Sequence, residues 1–376
     1  MQSTFDVIVV GLGAMGSSAA YHLAKRGQRV LGLDRYLPPH AHGSTHGDTR
    51  VFREAYFEHP LYVPLLRRAY DLWTALEEEA GRALYVRTGG LMIGPSDGIL
   101  VRGALESART HELPHEMLGA AELRHRLPAF QPGDDMVALL EPRAGLLFPE
   151  ACVSATLGLA REHGARLCGG ERVMSWSPEG EGVRVDTPTS TYLAARLVLA
   201  AGPWMGELLR DLDPPLEVER QVSCWFEPAA RAGDFAPQRC PLALWEYAPG
   251  QLAATFPDVG NGVKAQIHHH GELTEPESVN RCALAEDEAA VRSLLRRHLP
   301  AANGRLLGAT VCLYTNTPDH HFILDFHPAH PQVLIVSPCS GHGFKFASVL
   351  GEVVAGLIVD GECRFGLAAF GLERFG

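Results

Sequence analysis

The feature that most limits what this chain can become is Gly11-Leu12-Gly13-Ala14-Met15-Gly16. It stands between an apolar run, Phe5 to Val10, and a helix-like stretch, Ser17 to Lys25, which Gly27 closes. A second apolar run, Arg29 to Leu33, then ends in Asp34. This is the order of a dinucleotide-binding βαβ unit. Gly11 allows the sharp turn, Gly13 lets the backbone approach a pyrophosphate, and Gly16 lets the helix pack closely on the strand. The helix start adds unpaired N–H groups and the positive end of its dipole. Asp34, at the tip of the second strand, can accept hydrogen bonds from both ribose hydroxyls and repels a 2′-phosphate, which disfavours NADP. A Gly-rich turn without a ligand is the plain alternative, and the flanking strand, helix and acid weigh against it. The motif by itself does not separate FAD from NAD.

The 376 residues suffice for two domains and a sizeable core. A formal net charge of −11 argues against nucleic acid or an anionic membrane surface as partner. The longest apolar stretch, Val349 to Val359, is interrupted by Glu352 and reads as a core helix, with no span for a bilayer. The first strand begins by residue 5, which leaves no room for a signal peptide. The eight cysteines are scattered with no CxxC pair, against both a structural zinc and a disulfide framework. A reducing cytoplasm is the expected location.

Tyr62 to Ala80, Gly119 to Leu127, Glu150 to His163, Glu286 to His298 and about Phe346 to Val359 carry helical signals. Leu84 to Ile93 reads as a strand broken at Gly89-Gly90, and His40 to Asp48 is too rich in turn formers for a strand. Leu197 to Gly202 reads as a buried strand that completes the nucleotide-binding sheet from afar. From Leu216 to Val311, short alternating strands suggest an antiparallel sheet covering a substrate. Strands return at Phe322 to Asp325 and Val333 to Pro338. The expected fold is α/β (α+β overall): a Rossmann-like domain from 1–85, 140–215 and 320–376, with a substrate domain from 86–139 and 216–319.

A second glycine-rich turn, Ser340-Gly341-His342-Gly343-Phe344-Lys345, lies between a buried strand and a helix. Reduced flavin carries negative charge near N1 and the C2 carbonyl, and a helix start is a physical way to stabilise it. An ordinary strand-to-helix turn is the bland alternative. Three segments together are more specific than either turn. Gly43-Ser44-Thr45-His46-Gly47-Asp48-Thr49-Arg50 with Arg53, Gly308-Ala309-Thr310-Val311-Cys312-Leu313-Tyr314-Thr315, and Ser340 to Phe346 resemble the monomeric sarcosine oxidase and N-methyltryptophan oxidase family. These are FAD-containing amine oxidases of the D-amino-acid-oxidase superfamily, and the resemblance runs nearly end to end. Ala347 to Glu352 leans toward the N-methyltryptophan branch.

The resemblance implies that Cys312 carries FAD through an 8α-thioether, although lone buried cysteines are ordinarily inert. This chain has one residue more than the family motif between Gly308-Ala309 and the cysteine. Ser44, His46, Thr49, Arg50, Gly341, His342, Gly343, Phe344 and Lys345 match cofactor-contacting positions, and Arg50 lies close to the flavin ring. Arg53 and Lys345 match the residues that hold the substrate carboxylate, a task that suits an arginine fork. Lys264 matches the lysine over flavin N5, where fixed positive charge favours superoxide formation from O2. His268 matches the histidine beside the substrate amine and, by the period of a strand, should share a face with Lys264. Surface charge or a structural salt bridge is the bland reading of each basic residue. His268-His269-His270 reads as non-metal, because neighbouring strand histidines point to opposite faces.

The sequence also departs from the family. Where sarcosine oxidase has a tyrosine over the substrate, this chain reads Leu252-Ala253-Ala254-Thr255-Phe256, with Trp245 and Tyr247 as expected pocket wall. A smaller residue there enlarges the pocket and points away from sarcosine itself as the preferred substrate. The implied activity is oxidation of secondary (N-methyl) amino acids, giving imine or aldehyde, demethylated amino acid and H2O2, with O2 as acceptor and a monomer as the working unit. The alternatives are an oxidase of pipecolate, glycine or fructosyl amino acids, and an amine dehydrogenase using another acceptor. An NAD-dependent dehydrogenase and a non-catalytic nucleotide-binding protein are alternatives of a different class.

Overall fold

Segments far apart in the sequence meet in one sheet. The computed structural model describes residues 4–376. Thr4–Val10 lies in parallel between Val30–Asp34 and Thr191–Leu199. Arg166–Gly169 extends the sheet beyond Val30–Asp34, again in parallel. Thr191–Leu199 shares its outer edge between two partners. Its first residues pair antiparallel with Gly182–Asp186, and Leu197 to Leu199 pair in parallel with Val333 to Ile335 of the strand His330–Ser337. Ser175–Glu179 and Ile323–His327 complete the eight strands.

Val7 and Val9 pack with the helices Ala14–Lys25, Pro149–Glu162 and Ala347–Val359. Ile8 and Val10 pack into the opposite layer with Val183, Val185, Met205 and Leu209. Both faces are covered, which is why Phe5 to Val10 is apolar without alternation. Each such Val, Leu or Ile contributes roughly 1.5–3 kcal/mol relative to exposure. Glycine permits two close approaches here. At Gly16 a Cβ would stand 1.6 Å from the Gly11 carbonyl oxygen, so helix Ala14–Lys25 could not otherwise lie on its own turn. At Gly351 a Cβ would come within 2.7 Å of the Ser18 backbone carbonyl, where two helices cross.

The second large sheet runs in the order Leu306–Asn316, Glu217–Phe226, Val263–Ile267, Gln251–Phe256, Leu242–Ala248, Gly90–Pro95, Met136–Glu141, Glu116–Gly119. Its pairings are antiparallel except that of Leu242–Ala248 with Gly90–Pro95, which is parallel. Val291, Leu294 and Leu295 of helix Ala285–His298 cover one of its faces. A third sheet consists of Arg50–Phe52, Gly145–Leu147 and Tyr85–Arg87.

The strands of the first sheet fall within 1–85, 140–215 and 320–376, and those of the second within 86–139 and 216–319 apart from the end of Met136–Glu141. Helices Val63–Ala80, Pro149–Glu162, Ala285–His298 and Ala347–Val359 lie where the apolar spacing puts them. Helix Ile99–Thr110 was not anticipated. Its Gly103 faces the Phe57 backbone, where a Cβ would stand 2.4 Å from the carbonyl oxygen. No helix among the described residues is long and apolar enough to cross a membrane.

Candidate active site

An elongated cavity runs between the two large sheets, lined by Val10, Leu33 and Val336 on one side and by Leu244, Leu252 and Cys312 on the other. At one end lie Gly11, Gly13 and Asp34. Gly11 has φ 87°, and a Cβ there would stand 2.4 Å from the Ala200 carbonyl oxygen. Gly13 caps helix Ala14–Lys25 with no side-chain hydrogen bond, so the helix start is open to the cavity. Asp34 accepts from the backbone N–H of Leu12 at 2.7 Å and of Tyr36 at 2.8 Å, which fixes its carboxylate at the strand tip. Gly16 sits behind the turn as a packing residue.

The polar segment 43–50 is sewn to the strand that carries Cys312. Ser44 Oγ donates to the Leu313 carbonyl, and His46 Nε2 donates to the Val311 carbonyl at 3.0 Å. Ser44, Thr49, Arg50 and Cys312 line the cavity, whereas His46 is buried behind its wall. Arg50 donates to the carbonyls of Ser44, His46 and Thr49, so its charge has no carboxylate hydrogen-bonded to it. Burial pushes the Cys312 thiol up, and Arg50 and Lys264 pull it back. Lys264 also lies just behind the wall. Its Nζ donates to the carbonyls of Gly47 at 2.8 Å and Thr49 at 2.9 Å, and stands 4.6 Å from the Phe256 ring centroid. Burial, reinforced by Arg50, holds its pKa well below the ordinary lysine value.

At the other end Arg53 and Lys345, from opposite ends of the chain, stand by one ring. Arg53 Cζ is 4.2 Å and Lys345 Nζ 5.1 Å from the Tyr56 centroid. Arg53 Nη2 holds both oxygens of Glu58, at 2.8 and 2.6 Å, while Nη1 donates to the Ala55 carbonyl at 2.9 Å. Burial works to raise the Glu58 carboxyl, but Arg53, His342 and Lys345 hold it below its usual range. The protons of the neighbouring network are fixed by its acceptors. Lys345 Nζ donates to the His342 carbonyl at 2.7 Å and to Tyr56 Oη at 3.3 Å. His342 Nε2 donates to the His320 carbonyl at 2.9 Å, so its Nδ1 accepts the Tyr56 hydroxyl proton at 2.6 Å. Burial lowers His342 to about 3, which keeps that tautomer neutral. Burial also lowers Lys345 to about 7, with Arg53 acting the same way and Glu58 opposing.

His268 lines the cavity, one residue past the end of strand Val263–Ile267, and its Nδ1 is 2.9 Å from Tyr314 Oη. Burial keeps it neutral. Gly341, with φ 76°, closes over both: a Cβ there would stand 2.7 Å from His268 Cε1 and from the Tyr314 ring. Gly341, His342, Gly343, Phe344 and Lys345 all reach the cavity.

Trp245 requires a correction. It is fully buried on the face of its strand away from the cavity, stacked on Phe130 and donating to Thr255 Oγ1 at 3.1 Å. Its neighbour Leu244 lines the cavity instead, because successive strand residues face opposite ways. Tyr247 lies on a smaller adjoining hollow with Leu252 and His268. The adjacent His269 pairs with Glu219 at 2.9 Å. Sequence reasoning missed Tyr56, Glu58 and Glu141. Glu141 is buried and accepts the backbone N–H groups of Glu54 and Ala55, each at 2.8 Å, next to Arg53, and burial raises its pKa to about 7. An acid five residues after Arg53 carries no signal until the loop folds back, and Glu141 acts across 86 positions. Outside the cavity lining, Asp211, His327 and His330 cluster. His327 Nδ1 accepts the Ala329 N–H, so its Nε2 carries the proton donated to Asp211, and that pair is satisfied without a metal.

The family model "FAD dependent oxidoreductase" matches residues 6–357. The monomeric sarcosine oxidase of Streptomyces avermitilis is 44% identical over 378 residues, 100% of this chain and 98% of that protein. The N-methyl-L-tryptophan oxidase of Salmonella arizonae is 36% identical over 99% of both chains. Among solved structures, NikD, an unusual amino acid oxidase essential for nikkomycin biosynthesis, superposes in its open form with a TM-score of 0.85 at 25% identity, covering 98% of this chain and 97% of that one. The L-proline dehydrogenase from P. horikoshii has the same fold, with a TM-score of 0.86 at 22% identity over 100% and 98% of the two chains.

Proposed function

The chain belongs to the FAD dependent oxidoreductase family, and on that footing we propose that it oxidises N-methyl amino acids. The products are the imine, which hydrolyses to aldehyde and demethylated amino acid, and H2O2 from O2. The residues present fit FAD on physical grounds. The first helix start takes one long side-chain hydrogen bond, from the Ala14 N–H to Thr45 Oγ1 at 3.4 Å, Gly13 itself brings no side chain, and Thr49 has a buried hydroxyl without a hydrogen-bond partner on the cavity wall. Gly11, Gly13 and Asp34 would hold the adenosine and pyrophosphate half, with Gly16 packing the helix behind them. Ser44, Thr49, Arg50 and Gly341 to Lys345 would hold the ring half, with His46 stiffening the segment from behind. When bound, FAD supplies the hydride acceptor and the electrons passed to O2. We assign Cys312 as the point of covalent attachment, supported by its free thiol on the cavity wall.

The observation that carries the substrate reading is Glu58. A carboxylate already sits with both oxygens on Nη2 of Arg53 and with Lys345 nearby, so this corner accepts one. A substrate carboxylate takes over that place. The neutral His268 beside Tyr314 orients the amine and can take its proton. Phe57, Leu100, Leu244 and Leu252 keep water from the same end and leave space for a side chain larger than that of sarcosine. Lys264 supplies the fixed positive charge for the O2 step. Positioning and charge thus do most of the catalysis. The sheet boundaries support 1–85, 140–215 and 320–376 as the cofactor domain and 86–139 and 216–319 as the substrate domain.

A peroxide assay of the purified holoenzyme tests this reading. Sarcosine, N-methyltryptophan, pipecolate and fructosyl-glycine are offered in parallel. Turnover is expected with the N-methyl substrates, the bulkier one preferred. Peroxide from pipecolate or fructosyl-glycine alone would overturn the substrate class, and turnover with a dye but none with O2 would overturn the oxidase.

A further inference from the structure

Of the 33 lysines and arginines only three are lysines, Lys25, Lys264 and Lys345, and the last two are buried at the cavity. Arginine stays charged in any protein setting, whereas a buried lysine can lose its proton. For Lys264 to act as a cation, something must hold its charge where it lies. No carboxylate among the described residues hydrogen-bonds its Nζ, and its two polar partners are the backbone carbonyls of Gly47 and Thr49.

Those carbonyls point inward because the turn that carries them is unusual. Gly47 and Asp48 both have positive φ, 99° and 65°, and the Thr49 N–H returns to the Gly47 carbonyl at 2.7 Å, closing a three-residue turn of a rarely populated kind. Two successive residues of this conformation aim their N–H groups together to one side, a concavity that suits an anion. The anion present is Glu150. Its Oε1 accepts the N–H of Gly47 at 2.6 Å and of Asp48 at 3.3 Å. Glu150 is itself in the first turn of helix Pro149–Glu162, where the helix dipole favours a carboxylate. The Gly47–Asp48 peptide therefore has its N–H on Glu150 and its C=O on Lys264, with the carboxylate polarising that peptide toward the ammonium.

We propose that Glu150 is the positioning residue for Lys264: by gripping the outer side of the 47–49 turn, it aims two carbonyls at the ammonium and keeps the charge in place beside the cavity. Of the other groups facing Lys264, Asp48 also favours its charge, but its carboxylate does not hold the 47–49 turn. Arg50 and His46, on the same segment, carry the wrong sign or none. Cys312, on the neighbouring strand, is a thiol. Asp48 is turned outward to Asn261 Nδ2 at 3.1 Å, and Trp225 and Phe256 supply only ring faces.

The catalytic consequence rests on reading Lys264 as the cation of the O2 step, and the experiment separates the two. Holoenzyme labelled with 13Cε-lysine gives three resonances, and the Lys264 signal is titrated in wild type, Glu150→Gln and Glu150→Asp. The expected result is a Lys264 midpoint about one pH unit lower in Glu150→Gln, with partial recovery in Glu150→Asp. In stopped flow the O2 half-reaction of Glu150→Gln slows about tenfold while anaerobic reduction by substrate stays within about twofold. An unmoved Lys264 midpoint in either folded variant overturns the role of Glu150. A normal O2 half-reaction in Lys264→Met overturns the reading of Lys264 alone, since the titration still judges Glu150. If Glu150→Gln does not fold, Glu150→Asp carries the same comparison.

Discussion

On the proposed reading, Lys345 is the residue whose charge sets the working range of the carboxylate site. Burial lowers it to about 7, so in the free enzyme the ammonium is intact below that pH and lost above it, while Arg53 stays charged throughout. Affinity for an anion must therefore fall as pH rises through about 7. Propionate, which has a carboxylate and no amine to titrate, isolates the effect. Its dissociation constant, read from the flavin absorbance, is expected to rise on the order of tenfold between pH 6 and 8.5 in wild type and to stay flat in Lys345→Met. A flat wild-type profile would remove Lys345 from the site. At this scale the sequence was readable where a motif fixed the backbone and opaque where parity decided. Gly341 to Lys345 all reach the cavity because one turn carries them. In Leu242–Ala248 both faces are apolar, so nothing in Leu244-Trp245 tells which residue turns inward, and Trp245 was misjudged for that reason.

Three of the helices packed on one face of the first sheet are tied at one point. Glu79 of Val63–Ala80 takes hydrogen bonds from Lys25 and Tyr21 of Ala14–Lys25, both at 2.6 Å, and lies 3.1 Å from His163 at the end of Pro149–Glu162. Burial works to raise its carboxyl, but these donors bring it down to about 2. A depressed carboxylate contributes stability above its unfolded value of roughly 4.5, and that contribution fades as pH falls toward 2. The melting temperature of Glu79→Gln should therefore lie below that of wild type at pH 7, with the gap closing between pH 4.5 and 2. A gap independent of pH would mean that packing, and no charge, is what the substitution disturbs. All three helices were legible in apolar spacing. Helix Ile99–Thr110 was not read from the sequence; within it Gly103 admits the Phe57 backbone. The parallel pairing of Leu242–Ala248 with Gly90–Pro95 was equally hidden, since no local pattern reports which distant strand an edge will meet.

The whole molecule is two sheets closed over a cavity, and what fills that cavity touches both. Cofactor binding must therefore stabilise the native state by mass action, by about 2.7 kcal/mol at a hundredfold excess over the dissociation constant. Replacing Cys312 by alanine makes that dependence visible. The acid-precipitated variant should be colourless where wild type stays yellow, and its melting temperature should climb with added FAD. A yellow variant pellet would move the covalent bond elsewhere. The glycine turn at the front announced the first sheet, and the buried run at Leu197 to Gly202 announced a distant contributor to it. The shared edge of Thr191–Leu199 has a consequence for how this protein is made. The nucleotide turn at residues 11–16 leaves the ribosome well before the strand His330–Ser337 that pairs into its sheet. Pairings of such sequence separation form late and slowly. The turn must therefore wait, its sheet unfinished, until that distant strand has been made.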